Sequence, residues 1–207
     1  MVLLAAGFAF PWYHISVEDN NFLSTTDYYF NARYITKNVE LRQPKSESET
    51  DLKWSAYELP KVHSVFNTGL ALAALSFIFA FASIVLIILI QFEYFKTVFG
   101  FSSWFTVRIL NCLIFILIFI AVMMFISLPG SFKEDEKNFD TVTPTNQFIY
   151  CIDACDKKFN GKYSSTAVDV QYKPYLGWIL TVISGVTALA SAIISWVLTD
   201  SNIIDPV

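Results

Sequence analysis

Twenty consecutive residues from Ala71 to Ile90, ALAALSFIFAFASIVLIILI, carry no side chain more polar than two serines. Coiled as a helix, twenty residues rise about 30 Å, which matches the hydrocarbon thickness of a bilayer. A helix apolar on every face has no side to turn to water, so the chain is built for lipid. Composition agrees, with 55% hydrophobic and 15% charged residues, outside the usual soluble balance.

The apolar residues fall in three long runs, Val65 to Phe92, Trp104 to Leu128 and Pro174 to Leu198, and a shorter one, Val2 to Trp12. Eleven helical residues reach only about half the hydrocarbon core. Three readings fit the short run: a first span whose beginning is missing, a signal-peptide core, or an interfacial segment. A signal peptide needs a basic leader, which is absent before Val2. The truncated span is the favoured reading.

Charge then sorts the polar segments. The segment 16–63 has a net charge of −2, the connector between the second and third runs +1, and the last loop −1. Basic connectors stay cytoplasmic, so both long loops are expected on the opposite side. The whole chain carries −4 and no basic patch, which excludes nucleic acid as a partner.

Pro11 ends the first run. Trp12 and the residues after it have interfacial character, and WYHISV and TDYYFNARYITKNVELR alternate as strands do. Gln43 to Lys53, QPKSESETDLK, has the composition of a flexible tip. In the last loop Ala167, Asp169 and Gln171 alternate with Val168, Val170 and Tyr172, a strand able to join those of the first loop.

Small residues mark helix seams. Gly69, Ala73, Ser76, Ala80 and Ser83 follow each other at intervals of four and three, and Gly177, Thr181, Ser184, Gly185, Ala188, Ala192 and Ser195 repeat the device. Such seams let backbones approach where lipid removes the hydrophobic incentive to pack. Leu113 to Ile120 has no small residue, so the third run is expected to face lipid most. Arg108, Asn111 and Cys112 share a face near its start. Arg108 is expected to snorkel to the surface or to pair with Glu93. Trp12, Trp54, Arg108 and Trp178 are the expected interface anchors.

Chemistry-bearing clusters are sparse. Cys151 and Cys155 can close a local disulfide outside the cytosol, while Cys112 lies within a span. His14 and His63 flank the first loop. The run Glu134, Asp135 and Glu136 reads as a solvated turn rather than a calcium site. No hydrolase, phosphate-loop or zinc motif occurs, so a non-enzymatic protein without metal or cofactor is expected, with bound lipid its only small-molecule company.

Pro11-Trp12 followed by His14-Ile15-Ser16-Val17, together with Tyr175-Leu176-Gly177-Trp178 and the Ala/Gly/Ser-rich second run, resembles the claudin and peripheral-myelin-protein superfamily. There a Trp and a strand follow the first helix, and such residues open the fourth. Leu52-Lys53-Trp54 only echoes the family's Gly-Leu-Trp, and its two first-loop cysteines are absent.

The resemblance implies a mainly α membrane protein, a four-transmembrane-helix bundle with a small extracellular antiparallel β-sheet formed by the two long loops. The expected boundaries are spans at 1–12, 64–92, 104–128 and 174–199, extracellular loops at 13–63 and 129–173, a cytoplasmic connector at 93–103 and a cytoplasmic tail at 200–207. The function expected is adhesion or junction assembly, or service as an auxiliary subunit of a channel or receptor. Partners would be membrane lipids and itself or another membrane protein, in the plasma membrane. The alternatives are a structural accessory subunit of a large organellar membrane complex, and an oligomeric channel. A conduction path needs polar residues at mid-membrane depth, and these helices are expected to lack them, which counts against the channel.

Overall fold

The computed structural model describes residues 1–31, 33–42, 44–54, 59–92, 97–98, 101–136 and 159–201. Five helices occur among them: α1 (Val2–Ala9), α2 (Pro60–Gln91), α3 (Ser103–Ile126), α4 (Leu128–Glu136) and α5 (Leu176–Ser201). Strands β1 (Tyr13–Asp19), β2 (Ser24–Phe30), β3 (Tyr34–Arg42), β4 (Lys45–Lys53), β7 (Gly161–Ser164) and β8 (Val168–Pro174) form one antiparallel sheet in the order β4-β3-β2-β1-β8-β7. A two-residue ribbon, β5 (Thr97–Val98) with β6 (Phe101–Ser102), precedes α3.

This corrects the expected four-helix bundle with a small sheet. Three helices, α2, α3 and α5, are long and apolar enough to cross a membrane. The first is eight residues, about 12 Å of rise. The sheet is six-stranded and takes residues from both polar segments, with β8 pairing β1 from Tyr13↔Pro174 to Asp19↔Val168. Lys45–Lys53 is a strand rather than a loose tip: its backbone pairs with β3 along its whole length. Its side chains are nearly all exposed, as suits an edge strand whose charges discourage further pairing.

Trp12 joins these layers. It is 1% exposed, and its indole N–H donates to the Gly7 carbonyl of α1 at 2.8 Å. Its own N–H donates to Phe30 at the end of β2, and its carbonyl accepts from Tyr175 at the entrance to α5, both at 2.9 Å. Its ring lies 4.6 Å from that of Phe125 in α3, which meets Phe66 of α2 at 4.9 Å. Phe66 continues the chain of rings to Phe30 and Trp54. One aromatic core thus runs from the sheet into the helices.

Close approach at two glycines makes room for it. A Cβ on Gly69 would lie 2.4 Å from the Phe125 ring, and one on Gly177 would lie 2.6 Å from the Trp12 ring and 2.7 Å from the Phe10 carbonyl oxygen. α3 packs between α2 and α5, and 33% of its most apolar window is buried against 17% in α2 and 22% in α5. The expectation that α3 faces lipid most is therefore overturned. Large residues on α3 are the knobs that fill holes left by small residues on its neighbours: Phe125 at Gly69 and Ile118 at Gly185.

α2 begins at Pro60, which suits a first helical turn because it has no N–H to leave unpaired. Its N-cap Leu59 offers no capping side chain. Asp135 of α4, fully buried, supplies the missing acceptor: its carboxylate takes the N–H groups of Lys61 and Val62 at 2.9 to 3.0 Å. Burial pushes this carboxyl above its ordinary range, outweighing those N–H groups and the Lys61 charge, which pull it down.

Two substitutions test this scaffold. Asp135→Ala should lower the unfolding free energy by about 0.5–2 kcal/mol, the usual worth of a lost N-cap, seen as a lower melting temperature in detergent. Gly69→Ala should cost about 1–3 kcal/mol by overpacking. Combining it with Phe125→Leu should recover part of that loss, whereas an unchanged melting temperature for Gly69→Ala would mean the two helices are not in this register.

Candidate interaction surface

Strand periodicity gives the sheet two chemically different faces. Tyr13, Ile15, Tyr28, Phe30, Ile35, Val170 and Tyr172 are buried on the face that meets the helices. Phe132 of α4 lies against Phe30 and Tyr13 there, and the Tyr13 hydroxyl donates to the Phe159 carbonyl at 3.0 Å. Burial raises the Tyr13 hydroxyl far above its ordinary value and pushes Tyr28 up to about 12. Both stay neutral.

Away from the helices the same face is left open. A cavity of about 400 Å³ is lined there by Val17, Thr26, Tyr28, Lys37, Val39 and Leu41, among others. The Lys37 ammonium sits 5.8 Å from the centre of the Tyr28 ring, a cation–π arrangement. At its rim stands the β1–β2 turn.

That turn is held by hydrogen bonds from its own side chains and from the neighbouring strands. The Asp19 carboxylate accepts the N–H groups of Asn21 at 2.9 Å and Phe22 at 3.1 Å. Asn20 N–H donates to Ala167, Arg42 N–H donates to Leu23, and the Arg42 guanidinium pairs with Glu18. Leu23 has a φ of 49°, a left-handed conformation that costs a residue with a Cβ about 1–2 kcal/mol. The result is a fixed apolar tip: Phe22 is 77% exposed and Leu23 43%.

The opposite face is polar. His14 Nε2 meets Asp27 Oδ1 at 2.9 Å, and its ring stacks on Tyr29 at 4.6 Å and tilts against Tyr175 at 5.5 Å. Burial opposes ionisation of Asp27, but hydrogen bonds from His14 and Ser16 and the nearby charges of His14 and Lys173 prevail and hold its carboxyl below the ordinary range. The register sets Glu47 opposite Glu40 and Glu18 opposite Asp169 on this face.

The residues singled out from sequence are distributed as follows. Gly69, Ala73, Ser76 and Ser83 of α2 are buried and Ala80 is half-buried, while Gly177, Thr181, Gly185 and Ala192 of α5 are buried and Ala188 is half-buried. Gly177 and Thr181 face α1 at Gly7, and Gly185 faces α3. Trp12 and Trp54 lie inside the protein rather than in a lipid-facing belt, and the Trp54 indole donates to Asn31. Trp178 is half-buried against Phe159, with no partner for its indole N–H among the described residues.

Arg108 is buried rather than snorkelling: its Nε donates to the Ser195 carbonyl at 3.2 Å and its guanidinium lies 4.8 Å from the centre of the Trp196 ring. Glu93, Cys151 and Cys155 lie outside the described residues. His14 and His63 do not meet; His63 stacks on Trp54 at 5.0 Å. Asn111 parts from Arg108 and Cys112 and accepts from Ser83 of α2 at 3.1 Å. Beside that pair, at the first turn of α1, a cavity of about 200 Å³ is lined by Met1, Leu4 and small polar residues including Ser184 and Thr187. Polar groups thus do reach bundle depth, contrary to expectation.

The Asp135 cap and the Phe22 tip were not anticipated. A Pro60 start without a capping residue was the signal for the first. Asp19 two residues before Asn21 is the turn signal for the second. No family model matches the chain, and no curated protein matches it.

Acid titration tests the Asp27 site. Its folded pKa lies below the unfolded value, so its contribution to stability is complete above the ordinary carboxylate range and is lost as pH falls through the folded pKa. Wild-type melting temperature should therefore fall more steeply with acid than that of Asp27→Asn; parallel curves would contradict the assignment.

Proposed function

We propose that this chain is a non-enzymatic multi-pass protein of the plasma membrane that uses its sheet to bind another membrane protein. Its role would be adhesion or junction assembly, or service as the auxiliary subunit of a channel or receptor. Kinship with the claudin and peripheral-myelin-protein superfamily belongs to the same reading. It is supported by the pairing of β8, immediately before α5, with β1, immediately after Trp12.

The observation that carries the proposal is the β1–β2 turn. A strained leucine and a largely exposed phenylalanine are fixed by an Asp19 turn beside an open cavity of mixed lining, with Val17, Tyr28, Val39 and Leu41 next to Thr26 and Lys37. Burial of such a tip against a partner recovers transfer energy that water denies it. Rigidity adds to this, since an ordered turn loses little entropy on binding.

Mild-detergent purification with mass spectrometry provides the test. Wild type should retain a membrane partner, and Phe22→Asp should lose it, while Phe22→Ala should weaken it by about 2 kcal/mol, a typical hot-spot loss. Both variants should keep their melting temperature, because Phe22 packs against little. Undiminished recovery of the partner with Phe22→Asp would refute the proposal.

A further inference from the structure

Strand alternation leaves the helix-facing side of the sheet almost without charge. By register, Asp19 and Lys37 fall on that side, and every other charged residue of the six strands falls on the opposite one. Asp19 is already engaged by the N–H groups of Asn21 and Phe22. Lys37 forms no ion pair among the described residues.

Its neighbours fix where that charge stands. Lys37 lies between Tyr28 of β2 and Thr50 of β4, two residues along β3 from the fully buried Ile35. The side chain is half-buried, and its ammonium stands over the Tyr28 ring at the end of the 400 Å³ cavity nearer the helices. Toward the rim the lining includes Val17, Val39, Leu41 and finally Phe22. The cavity therefore joins one cation at its inner end to apolar walls farther out.

This combination restricts what can fill it. A purely apolar surface would strip water from the ammonium and return nothing, and a buried charge without a partner is among the costliest groups to desolvate. One ammonium balances one carboxylate, whereas a phosphate would keep part of its charge unmatched. We propose that the partner enters this cavity with an Asp or Glu side chain set between apolar residues, its carboxylate on Lys37 and its apolar neighbours against Val17, Val39 and Leu41. The inference rests on the reading of the Phe22 tip as a partner site and adds the chemistry that selects the partner. Phe22 contributes contact area, and Lys37 decides which charge is accepted.

Random peptides displayed on phage and panned against the protein in nanodiscs test it. Peptides retained by wild type should be enriched in Asp or Glu flanked by apolar residues. Synthetic copies of them should bind Lys37→Glu and Lys37→Met about tenfold more weakly, while Lys37→Arg, which keeps the charge, should still bind them. Carbodiimide should couple the peptide carboxylate to Lys37 Nζ as an amide, the reagent taking up the lost water as its urea, and mass spectrometry should locate the link. An empty selection, retained peptides without acidic preference, undiminished binding by Lys37→Glu, or coupling elsewhere than Lys37 would overturn the proposal. If Lys37→Glu does not fold, the selection and the coupling on wild type decide it. Phe22→Asp separates the two readings: loss of the peptides there but not with Lys37→Glu leaves the tip as the partner site and removes only the role of Lys37.

Discussion

Everything above and below the bundle's edge is fastened at Trp12. An indole this large can be fully enclosed only where its N–H finds an acceptor, and the Gly7 carbonyl provides one because α1 is cut short there. Gly177 is equally necessary: it lets the start of α5 come within contact of both Pro11 and the Trp12 ring, with Gly177 N–H donating to the Pro11 carbonyl at 2.8 Å. Between them, Trp12 and Gly177 fix the angle at which the chain leaves α1, enters β1, and returns from β8 into α5. The sheet is consequently a rigid extension of the helices rather than a domain on a tether.

The parts of this arrangement that sequence revealed are those set by local pattern. Apolar length alone gave α2, α3 and α5, and alternation gave β1, β2, β3 and β8. What stayed hidden was set by partners distant in the chain. Lys45–Lys53 has no strand-like composition, and it extends because β3 offers a ladder of backbone groups. Asp135 looks like one member of a solvated acidic run until α4 carries it against the bare start of α2, 74 residues earlier. Trp12 has the same composition whether it lies in a headgroup belt or at the centre of a core; only the convergence of α1, β2, α3 and α5 decides.

The reversal over α3 has a general physical content. Small residues mark a helix that packs, and by that rule alone their absence marks one that faces lipid. Packing needs both a hole and something to fill it. With glycine seams on α2 and α5, the middle helix must carry the bulk, so Phe125 and Ile118 are large for the same reason that Gly69 and Gly185 are small. A helix without small residues between two helices rich in them is therefore a candidate for the centre of a bundle, not its rim.

Rigidity at the Trp12 joint also bears on how the exposed parts can work. β1 and β2 start and end in the aromatic core, at Tyr13 and Phe30, so the strands that carry the Phe22 tip are anchored at their other end to Phe66 and, through it, Phe125. On the proposed reading, a partner bound at the tip would be held at a fixed orientation to the helices. Strain at Leu23 fits that arrangement: a left-handed leucine survives only where Asp19 and Arg42 over-determine the turn around it. The same hydrogen bonds that tolerate the strain keep the apolar side chains presented, so the turn is ordered before anything binds to it.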